Sequence, residues 1–200
     1  MPRTNIPTVE TTSGAIEVYT PAARAFHWIV VALIAIQIPV GLYMTYRGGA
    51  LNIWDATTNN LYSAHKLSGA IILLLVIARL VYRLTAGAPH PEPTIEPWQR
   101  IVSEINHWAI YGLLLVVPIL GYLGVSMFPA LNLFGLFDLP ALTAPDKKLS
   151  ETLFEYHKLG AWTLLGLIAM HIGAALYHYF IRKDNVLGRM LSAALRKPGR

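Results

Sequence analysis

The chain has 200 residues, 54% of them hydrophobic and 14% charged, with a mean hydropathy of +0.47 and a formal net charge of +5. That balance excludes an ordinary soluble domain and points to a membrane protein. The absence of cysteine excludes disulfides, thiolate metal sites, iron–sulfur clusters and covalently attached c-type haem.

Residues 1–19 read as a polar, poorly structured leader with no apolar core, so they are not a cleaved signal peptide. Thr20-Pro21 then marks a helix start, because Thr can cap and Pro is tolerated in the first turn. Four apolar stretches follow, at about 22–46, 60–84, 98–128 and 150–181. Each meets the roughly 20 residues that a hydrocarbon core requires. Pro39 and Gly41 should kink the outer half of the first span, and Pro118 with Gly121 and Gly124 should allow close packing or a bend in the third. The second span is the least hydrophobic because Arg79 and Arg83 sit near its end. The fourth carries no Asp, Glu, Lys or Arg between Leu159 and Ile181.

Between the spans lie an outer loop at 47–59, a Pro-rich link at Pro89–Pro97 and a longer connection at 129–149. The last contains Leu131, Leu133, Phe134, Leu136, Phe137 and Leu139, too apolar for a solvated linker, and should fold as a cap. Residues 192–200 form a basic tail suited to anionic lipid. Eleven of the sixteen Lys and Arg residues fall on the side of the termini, which the positive-inside rule makes cytoplasmic. The expected fold class is therefore all-α, an integral membrane four-helix bundle with both termini cytoplasmic, its transmembrane domain covering residues 20–191.

Six of the seven histidines lie in or near the spans, whereas His90 lies in the Pro-rich link. His157 and His171 share the fourth helix fourteen residues apart, which places them on one face and about 21 Å apart along the axis. Imidazoles inside a membrane are costly unless they have a partner or a task. By depth His65 pairs with His157 on the outside and His27 with His171 on the inside, as two bis-histidine haem sites would require. His107 lies at a depth similar to His27 and is an alternative inner ligand or a propionate partner. Zinc would want a closed tetrahedral cluster instead of pairs far apart. Arg79 and Arg83 are candidates by charge for haem propionates. Lys66, Lys147, Lys148 and Lys158 form an outer basic patch that either attracts a small anion or anchors the chain at the membrane edge. His178, with Tyr177, Tyr179 and Phe180, either flanks a quinone ring or belongs to an interfacial aromatic belt.

The segments Ala25-Phe26-His27-Trp28, Ala64-His65-Lys66-Leu67-Ser68-Gly69, His157-Lys158-Leu159-Gly160 with His171, and His178-Tyr179-Phe180 followed by Lys183-Asp184-Asn185 together resemble the bacterial cytochrome b561 family over residues 19–191. The resemblance implies two haem b groups, with His27 and His171 as ligands of one iron and His65 and His157 as ligands of the other. Within the family the likeness is to small stand-alone members that oxidise superoxide at the outer face and reduce ubiquinone near the inner face of the bacterial inner membrane. It implies a quinone-site role for His178. A rival reading is a cytochrome b subunit that exchanges electrons between quinone and a periplasmic partner enzyme or carrier. A third is a haem or ion transporter, against which the uncharged interior of the fourth span argues.

Overall fold

The computed structural model describes residues 6–11 and 14–191. Four long helices dominate: α1 (Pro21–Thr45), α2 (Ala56–Ala86), α3 (Pro97–Met127) and α4 (Lys147–Tyr177). All four are long and apolar enough to cross a membrane. Their surfaces suit lipid: Ile36, Leu74, Leu159 and Phe180 are each about 60% exposed or more, an arrangement that in water would form an aggregation-prone patch. The chain is an all-α membrane protein.

The helix ends have local causes. Thr20 caps α1, its hydroxyl accepting the Ala23 N–H at 3.2 Å and meeting Tyr82 at 2.8 Å, and Pro21 occupies the first helical position, where its missing N–H costs nothing. Asp55 caps α2 by accepting the Thr58 N–H at 2.9 Å and also pairs with Arg47 at 2.6 Å. The Thr58 N–H, then Arg47, hold the Asp55 carboxyl below the usual carboxylate range. Gly87, at φ +82°, ends α2 in the left-handed conformation that glycine adopts without penalty. Asp146 starts α4 three residues ahead of the predicted span, accepting the Leu149 N–H at 3.0 Å. Beyond α1 and α4 the chain widens into π turns at Tyr46–Ala50 and His178–Arg182.

Close contacts gather the chain into two compact units. One, here the terminal unit, comprises the described residues of Met1–Trp28, Ala78–Gly112 and Leu164–Arg200; the other, the loop unit, comprises Ile29–Ile77 and Leu113–Thr163.

In the terminal unit the leader is more ordered than its polarity suggests. Strands β1 (Thr8–Thr11) and β2 (Gly14–Glu17) pair antiparallel, Thr8 opposite Glu17. Val18 is buried, its N–H donating to Pro7 at 2.8 Å. The hairpin is fastened by Arg189, whose Nε donates to the Glu17 carbonyl at 2.7 Å and whose Nη2 donates to the His90 carbonyl at 2.5 Å. The Glu17 carboxylate in turn accepts the His90 N–H at 2.7 Å. Order here comes from long-range polar contacts, which a hydropathy pattern does not register. The basic tail at 192–200 lies outside the described residues.

In the loop unit, residues 129–146 form a cap around two short strands, β3 (Asn132–Leu133) and β4 (Phe137–Asp138). Leu133 is fully buried beneath it. Phe134 and Gly135, at φ +56° and +73°, make the tight turn between the strands, closed by the Leu136 N–H on the Leu133 carbonyl at 2.9 Å. The cap is tied to the helices through Ser63 to the Phe134 N–H (3.0 Å), Tyr122 to the Pro140 carbonyl (2.8 Å) and the Asp146 N–H to the Met127 carbonyl (3.1 Å).

Candidate functional site

In the loop unit, α2 and α4 bring His65 and His157 together edge to face, ring centroids 6.0 Å apart and planes 78° apart. His157 donates from Nδ1 to the Val117 carbonyl at 2.8 Å. That bond leaves Nε2 with the lone pair, the arrangement a ligating imidazole adopts. Val117 directly precedes Pro118, where the missing helix donor loosens the backbone ladder.

Two glycines make room for the rings. A Cβ at Gly121 would lie 2.9 Å from His157 Nδ1, and one at Gly41 would lie 3.1 Å from His65 Cε1. Gln37 fixes α1 against the start of this site: its amide donates to the His65 carbonyl at 3.0 Å, and its oxygen accepts from Ser68. In the sequence Gly41 reads only as a kink and Gly121 as a site of close packing or a bend. Gln37 stands out there only as a lone amide in an apolar span.

In the terminal unit His171 is flanked by two imidazoles. His27 is 6.2 Å from it by centroid, and His107 is 5.0 Å. His107 donates from Nδ1 to the Ser103 carbonyl at 2.6 Å. Two imidazoles on opposite sides of one metal, each bonded at about 2 Å, have their centroids roughly 6 Å apart. His65 with His157 and His27 with His171 meet that spacing, whereas His107 stands too close to His171.

Among the described residues, His27 Nδ1, His65 Nδ1 and the amide oxygen of Asn106 are buried without a hydrogen-bond partner. Each such atom costs about 1–3 kcal/mol, so these sites fit a polar or metal-bearing group beyond the polypeptide. Asn106, next to His107 in the chain, carries no pattern in the sequence that marks it out. No cluster of three or more His, Asp or Glu suited to a metal held by protein alone gathers among the described residues.

The cationic candidates divide. Arg79 lies over the Tyr111 ring at 5.3 Å, and Arg83 over Trp108 at 5.6 Å. Arg79 is within electrostatic reach of His27, His107 and His171, where it suits an anionic carboxylate. Lys66 is already engaged, donating to the carbonyls of Ala130 at 2.8 Å and Asn132 at 2.5 Å, and so acts as a clamp on the cap. Lys158 pairs with Glu155 at 3.6 Å on the surface. Lys147 and Lys148 are exposed at the start of α4, with Asp146 and Glu151 close by in sequence. The outer patch is thus more nearly balanced in charge than its lysines alone suggest.

His178 is buried within the first turn after α4. Its Nδ1 lies 2.6 Å from the Asp184 carboxylate, and its ring stands 5.7 Å from that of Tyr177, edge to face.

An all-α membrane protein whose histidines face one another in pairs has the architecture of a b-type cytochrome. A family model of prokaryotic cytochrome b561 matches residues 18–193. The chain is 31% identical over 176 residues to cytochrome b561 homolog 2 of Escherichia coli (strain K12), covering 88% of this chain and 92% of that protein. It is 28% identical over 171 residues to cytochrome b561 homolog 1 of the same strain, covering 82% and 92% respectively. To the probable superoxide oxidase CybB of Yersinia pestis it is 31% identical over 177 residues, covering 86% and 95%. The chain belongs to the prokaryotic cytochrome b561 family, a family of bacterial membrane proteins that bind b-type haem and transfer electrons.

Proposed function

We propose that the chain holds two haem b groups, one between His65 and His157 and one between His27 and His171, in the bacterial inner membrane. It oxidises superoxide at the periplasmic side and reduces ubiquinone near the cytoplasmic side. The observation that carries this reading is the pair of imidazole spacings, 6.0 and 6.2 Å, each pair including one imidazole whose buried Nδ1 has no hydrogen-bond partner. The superoxide half draws on the relative named as a probable superoxide oxidase. Bound haem would supply one-electron chemistry at iron.

The polypeptide does the rest. The Val117 carbonyl and the glycine surfaces at Gly41 and Gly121 orient the outer imidazoles. Arg79 offers positive charge to a propionate, and the cap clamped by Lys66 covers its end of the loop unit. Lys147, Lys148 and Lys158 draw the superoxide anion, and His178 meets the quinone.

A second reading, electron exchange with a periplasmic protein, is favoured by the apolar side chains the cap exposes: Leu136 is 80% exposed and Phe137 54%. The test applies enzymatically generated superoxide to purified, oxidised, haem-loaded protein, with and without superoxide dismutase. A dismutase-sensitive rise of the reduced haem bands is expected. Haem that stays oxidised refutes the superoxide half and leaves the partner reading. His157→Ala is expected to lose one haem of the two, and retention of both would overturn the ligand assignment.

A further inference from the structure

The last turn of α4 is unusual. The π turn His178–Arg182 ends at Lys183, a non-glycine residue at φ +55°, a conformation that costs an L-residue about 1–2 kcal/mol. The reversal folds Asp184 back onto His178. The Asp184 N–H donates to the His178 carbonyl at 3.3 Å, and its Oδ2 accepts from His178 Nδ1 at 2.6 Å. Both side chains are at least nine-tenths buried. The carboxylate is itself held, with Oδ1 accepting the Val186 N–H at 3.2 Å and Oδ2 the Thr94 hydroxyl at 3.3 Å. Strain kept beside a buried, fully oriented carboxylate–imidazole pair is the mark of a positioned working group.

We propose that Asp184 is a positioning residue that locks His178 as its Nδ1–H tautomer and so presents Nε2 to the quinone, making His178 the proton donor to the reduced ring. This rests on the reading that ubiquinone is reduced beside His178.

A carboxylate accepting from one imidazole nitrogen fixes which nitrogen is left to act. It also stabilises the imidazolium that must exist just before a proton is given away. Reduction of a quinone to a quinol consumes two electrons and two protons. The electrons come from two superoxide anions, each of which leaves as O2. The protons come from water on the cytoplasmic side, each passing through His178 Nε2 to a quinone oxygen.

The charged groups around the pair suit this. Glu92, from the Pro-rich link, and Arg189, from the segment after the turn, stand 3.9 Å apart, and both are more than nine-tenths buried. Arg182 is turned away, donating to the Thr94 carbonyl at 2.9 Å and lying 3.9 Å from Glu96. Burial holds the Glu92 carboxyl above the usual range.

The experiment uses haem-loaded protein in lipid nanodiscs with a short-chain ubiquinone as acceptor, following reoxidation after reduction by superoxide. Asp184→Asn is expected to lower kcat at least tenfold, leave KM for the quinone within about twofold and leave haem reduction by superoxide unchanged; Asp184→Glu is expected to restore most of the rate. Histidine-selective 15N solid-state NMR of the unmodified protein is expected to show His178 protonated on Nδ1, and of Asp184→Asn to show that signature lost. Normal quinone reduction by His178→Ala would overturn the quinone reading itself. A slow His178→Ala with Asp184→Asn at the full rate would overturn only the role of Asp184, as would an Nε2–H tautomer in the unmodified protein should the variant fail to fold.

Discussion

Gly121 offers the most direct test of how the outer histidine pair is built. In Gly121→Ala the new Cβ would stand 2.9 Å from His157 Nδ1 and 3.0 Å from Cε1. Comfortable contacts lie at about 3.5–4.0 Å, so the ring must retreat by roughly 0.5–1 Å. That movement stretches the 2.8 Å bond from His157 Nδ1 to the Val117 carbonyl beyond the limit of about 3.2 Å for a good N–H···O bond. Overpacking costs about 1–3 kcal/mol, and the lost hydrogen bond about 1 kcal/mol more. A total of about 2–4 kcal/mol weakens the hold on a haem roughly 30- to 700-fold. The assay is haem per polypeptide by pyridine haemochrome, with visible spectra of the variant purified in mild detergent. The expected ratio falls from two toward one, and the remaining haem keeps its spectrum. Gly166→Ala, where a Cβ meets nothing within 4 Å, is the matched control and should keep both. A Gly121→Ala protein with two haems and unchanged bands would refute the reasoning.

Lys66→Met removes an ammonium that serves two cap carbonyls, each bond to a charged donor being worth about 1.5–3 kcal/mol. Limited proteolysis is expected to cut within 129–146 at least tenfold faster, with both haems retained. Lys147→Glu with Lys148→Glu should slow superoxide-driven haem reduction by about threefold to tenfold at low salt, and the difference should vanish near 0.5 M salt, where the screening length is only a few ångströms. An equal rate at all ionic strengths would make these residues membrane anchors. Glu92 carries a folded-state carboxyl raised by burial. The folded protein therefore binds this proton more tightly than the unfolded chain, and its contribution to stability is fully present below about pH 4.3, the unperturbed glutamate value, and is lost as pH rises through the raised value. Glu92→Gln should flatten that part of the pH dependence, read as the thermal unfolding temperature from pH 4 to 8.

Much of the fold is legible in the sequence because apolar runs of membrane length leave few alternatives. All four helices fall within four residues of the predicted spans. The shifts occur where Asp55 and Asp146 start α2 and α4 earlier, since capping by a side chain outside the apolar run is invisible to hydropathy. The histidine pairings by depth agree with the centroid spacings, because helical rise converts sequence separation into depth with little error. Specific partners are another matter. Gln37 beside His65, the carbonyl of Val117 beneath His157 and the fold-back of Asp184 onto His178 depend on which helices meet, and no periodicity encodes that. The engagement of Lys66 by the cap is of the same kind: its charge suggested a ligand, and geometry gave it to the backbone.

The buried guanidinium of Arg189 also sets an order of assembly. It grips the Glu17 and His90 carbonyls, 172 and 99 residues away along the chain. Contacts of such separation form late, because the loop they close must first be paid for in entropy. The leader hairpin therefore cannot dock while the chain is still emerging from the ribosome, and it waits until residue 189 has been made and α4 has entered the bilayer. His27 and His171 obey the same schedule, since one opens α1 and the other sits late in α4. The haem site proposed at that pair would thus be completed only after α4 has been made.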